Sequence, residues 1–472
     1  MKENPFRQNR EEIQELIKQY QNLKNGRSYS FLEEESFEQI IDYYDELEQI
    51  NLALEAVDIG LNIFPFSSVL FLKKADLLIA NRKYNEALEI LEKAELYDRT
   101  DINIYILKTD AYLALDMQEK AVALLEEALH EFEGEEQIEL LFELTDVYDD
   151  YEEFEKVFDC LKLILEQDPN NEEALYKICF WTDFTGRSEE SIRLHLNIIN
   201  DFPYNEIAWF NLGAAYQGLK LYEKAIDAYK YAVTIDEKFD YAYRNMGDAY
   251  LRLRKYKEAI EVLEKVLELS RPEDVIYEAI AHCFHKLENF AQARFNYRKA
   301  SHLNPDDSKL YYKMALTYIN EEQFPSAIKQ LEAALRINKQ LPEFNLAMGE
   351  CYLHLEKYKE AIQFFGTVVH YKPKNKKGWE ALIKCLYKAT FYEEALEQAE
   401  LAIKYTQKEM FLFYKAGILF ALKKQKEALL QLENAINLNP KQLKYFLQLN
   451  PSILQNAKVV DLLAQYKKDK FL

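Results

Sequence analysis

The chain has 472 residues but only 11 glycines and 11 prolines, about one turn residue in twenty where about one in eight is usual, which excludes an all-β sandwich or a Gly-rich phosphate-cradling fold. With 49% hydrophobic and 30% charged residues it is not generally disordered, and at a mean hydropathy of −0.38 no apolar run approaches a membrane span. The formal charge of −22 is unevenly held: residues 1–205 carry 19 Lys and Arg against 47 Asp and Glu, net −28, and residues 206–472 carry 40 against 34, net +6, so the first half is a poor surface for nucleic acid.

Residues 1–33 open without the apolar stretch of a secretory signal, which predicts an intracellular, cytoplasmic chain. REEIQELIKQYQNL (10–23) predicts a charged capping helix, and NGRSYS (25–30) a polar break. From residue 34 the sequence repeats itself every 34 residues. YEKAIDAYKYAVTIDEK at Tyr222 returns as YKEAIEVLEKVLELSRP at Tyr256, then from Phe290, Phe324 and Tyr358. The frame predicts twelve repeats starting at 34, 68, 102, 138, 172, 206, 240, 274, 308, 342, 376 and 409, with two extra residues before Ile138 and one missing before Glu409. Each is expected to be a pair of helices. The twentieth position is Ala in ten repeats, small enough to let the paired helices close, and the eleventh is Tyr or Phe in eight. Pro65, Pro169, Pro203, Pro305, Pro373 and Pro440 stand at the thirty-second position, where a helix must stop. Repeats 1–5 (34–205) form the acidic part and repeats 6–12 (206–442) the remainder. Ser188 and Ser191 in repeat 5, in place of an aromatic and an Ala, predict looser packing there. Residues 443–472 have apolar positions at helical spacing and a lysine-rich exit. They read as capping helices, or as an amphipathic helix that docks on a partner or membrane surface.

WFNLGAAY (Trp209 to Tyr216), and more loosely YRNMGDAY (Tyr243 to Tyr250), carry the Trp–Leu–Gly–Tyr spacing of the tetratricopeptide repeat family, which the chain resembles over about 34–442. The resemblance implies an all-α fold, antiparallel helix pairs stacked into a right-handed superhelix (an α-solenoid) with a concave inner surface.

Catalytic chemistry is not expected. The cysteines (Cys160, Cys179, Cys283, Cys351, Cys385) are odd in number and never paired as C-x-x-C. His282 and His285 flank Cys283 at helical spacing but lack a third ligand, so neither metal nor cofactor is expected. Acidic runs such as EGEEQIELLFELTDVYDDYEEFE (Glu133 to Glu155) read as a solvated face, with no EF-hand loop, P-loop, nucleophile elbow or dinucleotide fingerprint in the chain.

The resemblance places the second, fifth, sixth, ninth, twelfth and thirteenth positions of each repeat on the groove. An acidic pole would then carry Glu35, Asp42, Asp76, Asp110, Asp146, Asp149 and Asp150, and a basic pole Lys313, Lys377, Lys384 and Lys388. Between them a saddle of Tyr176, Phe180, Phe210, Asn211, Gln217, Tyr241, Arg244, Asn245 and Asp248 would bind peptide. Asn211 and Asn245, both sixth-position residues, either hydrogen-bond the main chain of an extended peptide or merely bridge neighbouring first helices. Asp248 argues against a chaperone-tail site, since it would repel a carboxylate.

The expectation is a non-enzymatic scaffold or adaptor that binds proteins or extended peptides, basic ones at its acidic end, and helps assemble or regulate a multiprotein complex. Two alternatives stay open. One is a nucleic-acid- or ribosome-associated factor using YKPKNKKGWEALIKCLYK (371–388), with Trp379 for stacking; the other is a structural protein self-associating through its poles.

Overall fold

Helix formation dominates the chain as the composition requires. The computed structural model describes residues 5–26 and 32–469, and among them are 27 α-helices, two short 3-10 segments and no strand. The end of the polar break (27–31) and the last three residues of the C-terminal segment lie outside the described residues. Ten first helices begin on the first position of the 34-residue frame, and all twelve second helices begin on the seventeenth. The frame slips show up locally. Repeat 4 opens early, at Glu135 after Gly134 (φ 68), so its first helix runs 16 residues, and repeat 12 opens at Met410.

The turn inside each repeat has one geometry. The fifteenth residue is left-handed in every repeat, with Glu48, Arg82, Asp116 and Glu152 among those at φ between 56° and 63°. In eleven repeats the next N–H then bonds the carbonyl of the eleventh residue, as Gln49 does to Tyr44 at 2.8 Å, closing the first helix with a Schellman bond. Only repeat 5 has glycine there, Gly186 (φ 71), and it does not make that bond. At the other end, Ser67, Asp101, Asn171, Asn205, Asp307 and Asn375 accept from the first turn of the helix that comes next, satisfying N–H groups left open at a helix start.

Inside each pair the ten twentieth-position alanines are fully buried. Close approach is paired with bulk across the interface: a Cβ on Gly213 would lie 2.5 Å from the ring of Tyr229, so the aromatic residue is accommodated only because the eighth position is glycine. The helices of repeat 5 touch each other little, in keeping with the serines of its second helix, Ser188–Asp201. Arg187 instead ties the start of that helix to repeat 4, through Asp159 at 2.7 Å and the carbonyl of Glu155 at 3.1 Å.

Two compact units divide the chain, Met1–Ala242 and Tyr243–Leu472. In the first, helix Pro5–Lys24 lays Leu16, Tyr20 and Leu23 against repeat 1, with Tyr20 edge-on to Phe37 and Tyr44. In the second, Phe446, Ile453 and Val459 from the segments after repeat 12 close over Phe413, Leu432 and Ile436. Each cover shields an apolar face that a terminal repeat would otherwise show to water.

Candidate functional site

The ninth position of repeats 1–4 places Asp42, Asp76, Asp110 and Asp146 at equivalent points of consecutive first helices in the N-terminal unit. Glu143 joins the line from the sixth position of repeat 4. The carboxyls feel one another. Recession from water, followed by the neighbouring charges of Asp45 and Asp42, pushes Asp76 above the ordinary carboxylate range, and Lys73 opposes the shift. Asp110 is raised by the same recession and then by Asp76, and Glu143 by recession and then by Asp110, Asp146 and Glu139. Cations reach only the edges of this line: Lys73 pairs with Asp42, and Lys177 with Asp146 at 3.6 Å and Glu173 at 2.8 Å. Asp76, Asp110 and Glu143 have neither an ion-pair nor a hydrogen-bond partner among the described residues. Glu35 is exposed in the first turn of repeat 1. Asp149 and Asp150 are exposed in the last turn of Glu135–Asp150, where the helix dipole disfavours negative charge.

Lys177 leads from the acids to a set of aromatics. Its ammonium lies 5.1 Å from the ring of Phe142, and one residue earlier begins the series Tyr176, Phe180, Phe184. Spaced by four on helix Glu172–Thr185, these three share a face and are 59%, 61% and 57% exposed, a large apolar area to leave in water. Trp181 and Phe154 stack behind them at 5.2 Å, and Phe180 and Phe184 lie 6.0 Å apart. Phe184 and its backing were not singled out from sequence, although the four-residue step from Phe180 marks them.

The saddle expectation is corrected in part. Asn211 is 2% exposed and does not face an open surface: its amide donates to the carbonyl of Leu175 at 2.7 Å and faces Nε2 of His195 at 3.2 Å. It bridges neighbouring first helices, and the physical reason is His195. That ring fills the twenty-fourth position of repeat 5 and brings a buried nitrogen that needs a donor. Phe210 is partly covered by Tyr229 and Phe239, Gln217 accepts from the hydroxyl of Tyr229, and Tyr241 is exposed. In the second unit Arg244 is held by a bidentate pair with Glu273 at 2.8 and 2.9 Å, which pulls the Glu273 carboxyl below its usual range. Asp248 accepts from Arg252, and Asn245 is half-buried.

The basic pole is likewise interrupted by acids. Lys313 pairs with Glu278 and Lys384 with Glu380 at 2.7 Å, Lys377 lies near the recessed carboxyl of Glu350, and Lys388 is exposed. Trp379 is not available for stacking. It is 3% exposed, with its indole N–H on the carbonyl of Pro373 at 2.7 Å, as Trp209 is on Pro203 at 2.9 Å. The cysteines are free, and burial pushes their thiols up to about 11 or 12. His285 hydrogen-bonds Asn320, and no group of three or more metal-capable side chains converges among the described residues. No helix among them is long and apolar enough to cross a membrane.

A stack of helix pairs in one 34-residue register, each with the same left-handed turn and small-residue seam, is an all-α repeat architecture. Residues 214–346 match the profile of the tetratricopeptide repeat protein 21 C-terminal ARM domain, and residues 318–383 a tetratricopeptide repeat profile. Over residues 214–383 the chain is built of tetratricopeptide-type repeats. Among solved structures it is similar to the C-terminal part of a TPR repeat-containing protein from Cytophaga hutchinsonii, at 18% identity over 54% of this chain and 99% of that one, with a TM-score of 0.44. YrrB, described as a TPR protein with an unusual peptide-binding site, aligns at 20% identity over 40% of this chain and 96% of its own, with a TM-score of 0.36. The APC/C hetero-tetramer Cut9–Hcn1 aligns at 13% identity over 84% and 96%, with a TM-score of 0.34. No curated protein matches the sequence.

Proposed function

We propose that the chain is a non-enzymatic scaffold or adaptor whose N-terminal unit holds basic protein segments along the inner face of repeats 1–5 and so helps assemble or regulate a multiprotein complex. The observation that carries this reading is the junction of two unsatisfied surfaces: carboxylates that make no ion pair among the described residues, and three half-bare aromatic rings beside them. A lysine or arginine of a partner would relieve the repulsion among Asp76, Asp110 and Glu143. An apolar side chain of the same partner would cover Phe180 and Phe184, the kind of desolvated anchor that dominates interface energies. A cytoplasmic setting suits the five unpaired thiols.

The test uses the full chain and a labelled Lys/Arg-rich peptide bearing one Leu or Phe, followed by fluorescence anisotropy. Phe180→Ala with Phe184→Ala should raise Kd about tenfold, the loss of a modest hot spot, with helicity unchanged because both rings are exposed. Binding should also weaken as salt rises. Equal affinity for wild type and double variant would remove the aromatic stripe from the reading, and indifference to salt would remove the acids.

A further inference from the structure

The C-terminal unit carries a second surface of opposite sign, outside the positions expected to line the groove. It is built from the turns that close repeats 10, 11 and 12. Lys372, Lys374 and Lys376 lie in and just after the first turn, Lys404 and Lys408 flank the second, and Lys444 comes just after the third. All are exposed, and none has a carboxylate partner among the described residues. The carboxylate of Glu409, in the second turn, is engaged by Gln442 at 3.2 Å. In the N-terminal unit, by contrast, Lys24, Lys73, Lys74, Lys108, Lys156 and Lys177 are all held by acids.

The three turns adjoin. The indole N–H of Trp379 pins Pro373 of the first turn, and Tyr405 at the second lies nearly parallel on that indole, 6.2 Å away at 11°. Lys376 from the first and Lys444 from the third converge on Tyr445, at 5.5 and 5.2 Å. Two half-exposed rings stand among these lysines: Tyr371, 48% exposed with His370 edge-on to it, and Tyr405, 46% exposed, backed by Trp379 and with the Lys404 ammonium 5.9 Å from its centroid, where a stacking base would displace it.

We infer that this surface binds single-stranded nucleic acid, with phosphates on the lysines and bases on the outer faces of Tyr371 and Tyr405. Unpaired cations interleaved with rigid, half-exposed aromatic planes are the two elements that sequence-tolerant single-strand binding needs. An acidic peptide would use the lysines but leave the rings idle. A bilayer would call for several inserted aliphatic side chains, and near these turns only Leu438 and Leu401 are exposed among the described residues, so the vesicle arm of the test below decides against or for a lipid surface. This surface is independent of the acidic face proposed above.

The experiment uses the full chain with labelled single-stranded RNA and DNA of about 12 nucleotides, alongside a poly-glutamate peptide and phosphatidylserine-containing vesicles. Both oligonucleotides should bind, with log K falling linearly against log salt. Lys374→Glu with Lys376→Glu and Lys408→Glu should weaken binding at least about tenfold and flatten the salt slope by about 2, the share of three phosphate contacts on a single strand. Among the described residues Lys374 and Lys408 make no ion pair or hydrogen bond through their side chains, and Lys376 makes only its surface contact with Tyr445, so helicity should be unchanged. Tyr371→Ala should weaken binding about fivefold and leave the slope as it was. No oligonucleotide binding at low salt, undiminished binding by the charge-reversed variant, or equal affinity for poly-glutamate or vesicles would each overturn the assignment.

Discussion

His195 shows how one residue can redirect its neighbours. Its ring is fully buried, Nδ1–H donates to the carbonyl of Ser191 at 2.7 Å, and Nε2 is left to accept from Asn211. Burial pushes its pKa down to about 4, and no charged group opposes or assists the shift. The unfolded chain takes up this proton near the ordinary 6.5, the folded one only near 4. Between those values the unfolded state therefore binds more protons, so the contribution of His195 is complete above about pH 6.5 and drains away on acidification toward pH 4. Urea titrations should show wild type losing on the order of 2 kcal/mol more than His195→Leu between pH 7 and pH 5. Parallel losses would mean that the ring is charged or solvated in the fold. Asn211 is explained by the same chemistry. A sixth-position asparagine looks like a peptide clamp in one dimension, because its partner His195 stands in the preceding repeat, on another helix.

At the level of the helix and turn, the pattern of small and large residues was readable in advance because each repeat tests it again. The buried alanines and the second-helix starts fall where a 34-residue frame puts them. Errors cluster where the period breaks or where burial decides. Repeat 4 begins at Glu135 because Gly134 can take a positive φ ahead of the inserted residues. Trp379 sits in a lysine-rich string that looks exposed, yet the fourth position points its indole at the proline carbonyl of the preceding turn. The aspartate ladder was visible at the ninth position, whereas Phe184 and Trp181 gain meaning only once Phe154 is stacked against them. The intra-repeat turns were hidden too, since charged residues such as Glu322 (φ 57) and Glu356 (φ 58) occupy the left-handed site where glycine would advertise it. For an L-residue that conformation costs roughly 1 kcal/mol, part of which glycine returns through the greater freedom of its unfolded chain. Glu322→Gly and Glu356→Gly should each therefore stabilise the protein by about 0.5 kcal/mol in urea denaturation. A loss of stability from either would show that the side chain contributes more than its backbone costs.

At the scale of the molecule, the binding proposed for the acidic face and the stability of the fold pull in opposite directions. Residues 1–205 carry net −28, more than the chain's whole −22, and within that stretch the first helices set Asp76, Asp110 and Glu143 near like charges that Lys73 and Lys177 offset only in part. A carboxyl whose folded pKa is raised binds its proton more readily folded than unfolded. Such a group destabilises the fold at neutral pH, and the penalty fades as pH falls through the raised folded value, opposite in sign to His195. Because these side chains keep contact with water, each penalty is discounted to a few tenths of a kcal/mol. Replacing all three by Asp76→Asn, Asp110→Asn and Glu143→Gln should therefore raise stability at pH 7 by about 1 kcal/mol or less, with the gain shrinking at high salt and at acid pH. The same variant should bind a Lys/Arg-rich peptide about tenfold more weakly at low salt, since the attraction it loses is the one a cationic partner would complete. Denaturation and anisotropy on one preparation measure both sides of the exchange. If neutralisation lowers stability, the carboxylates are held by favourable contacts within the fold. If stability rises and affinity does not change, the charge on this face serves something other than a basic partner.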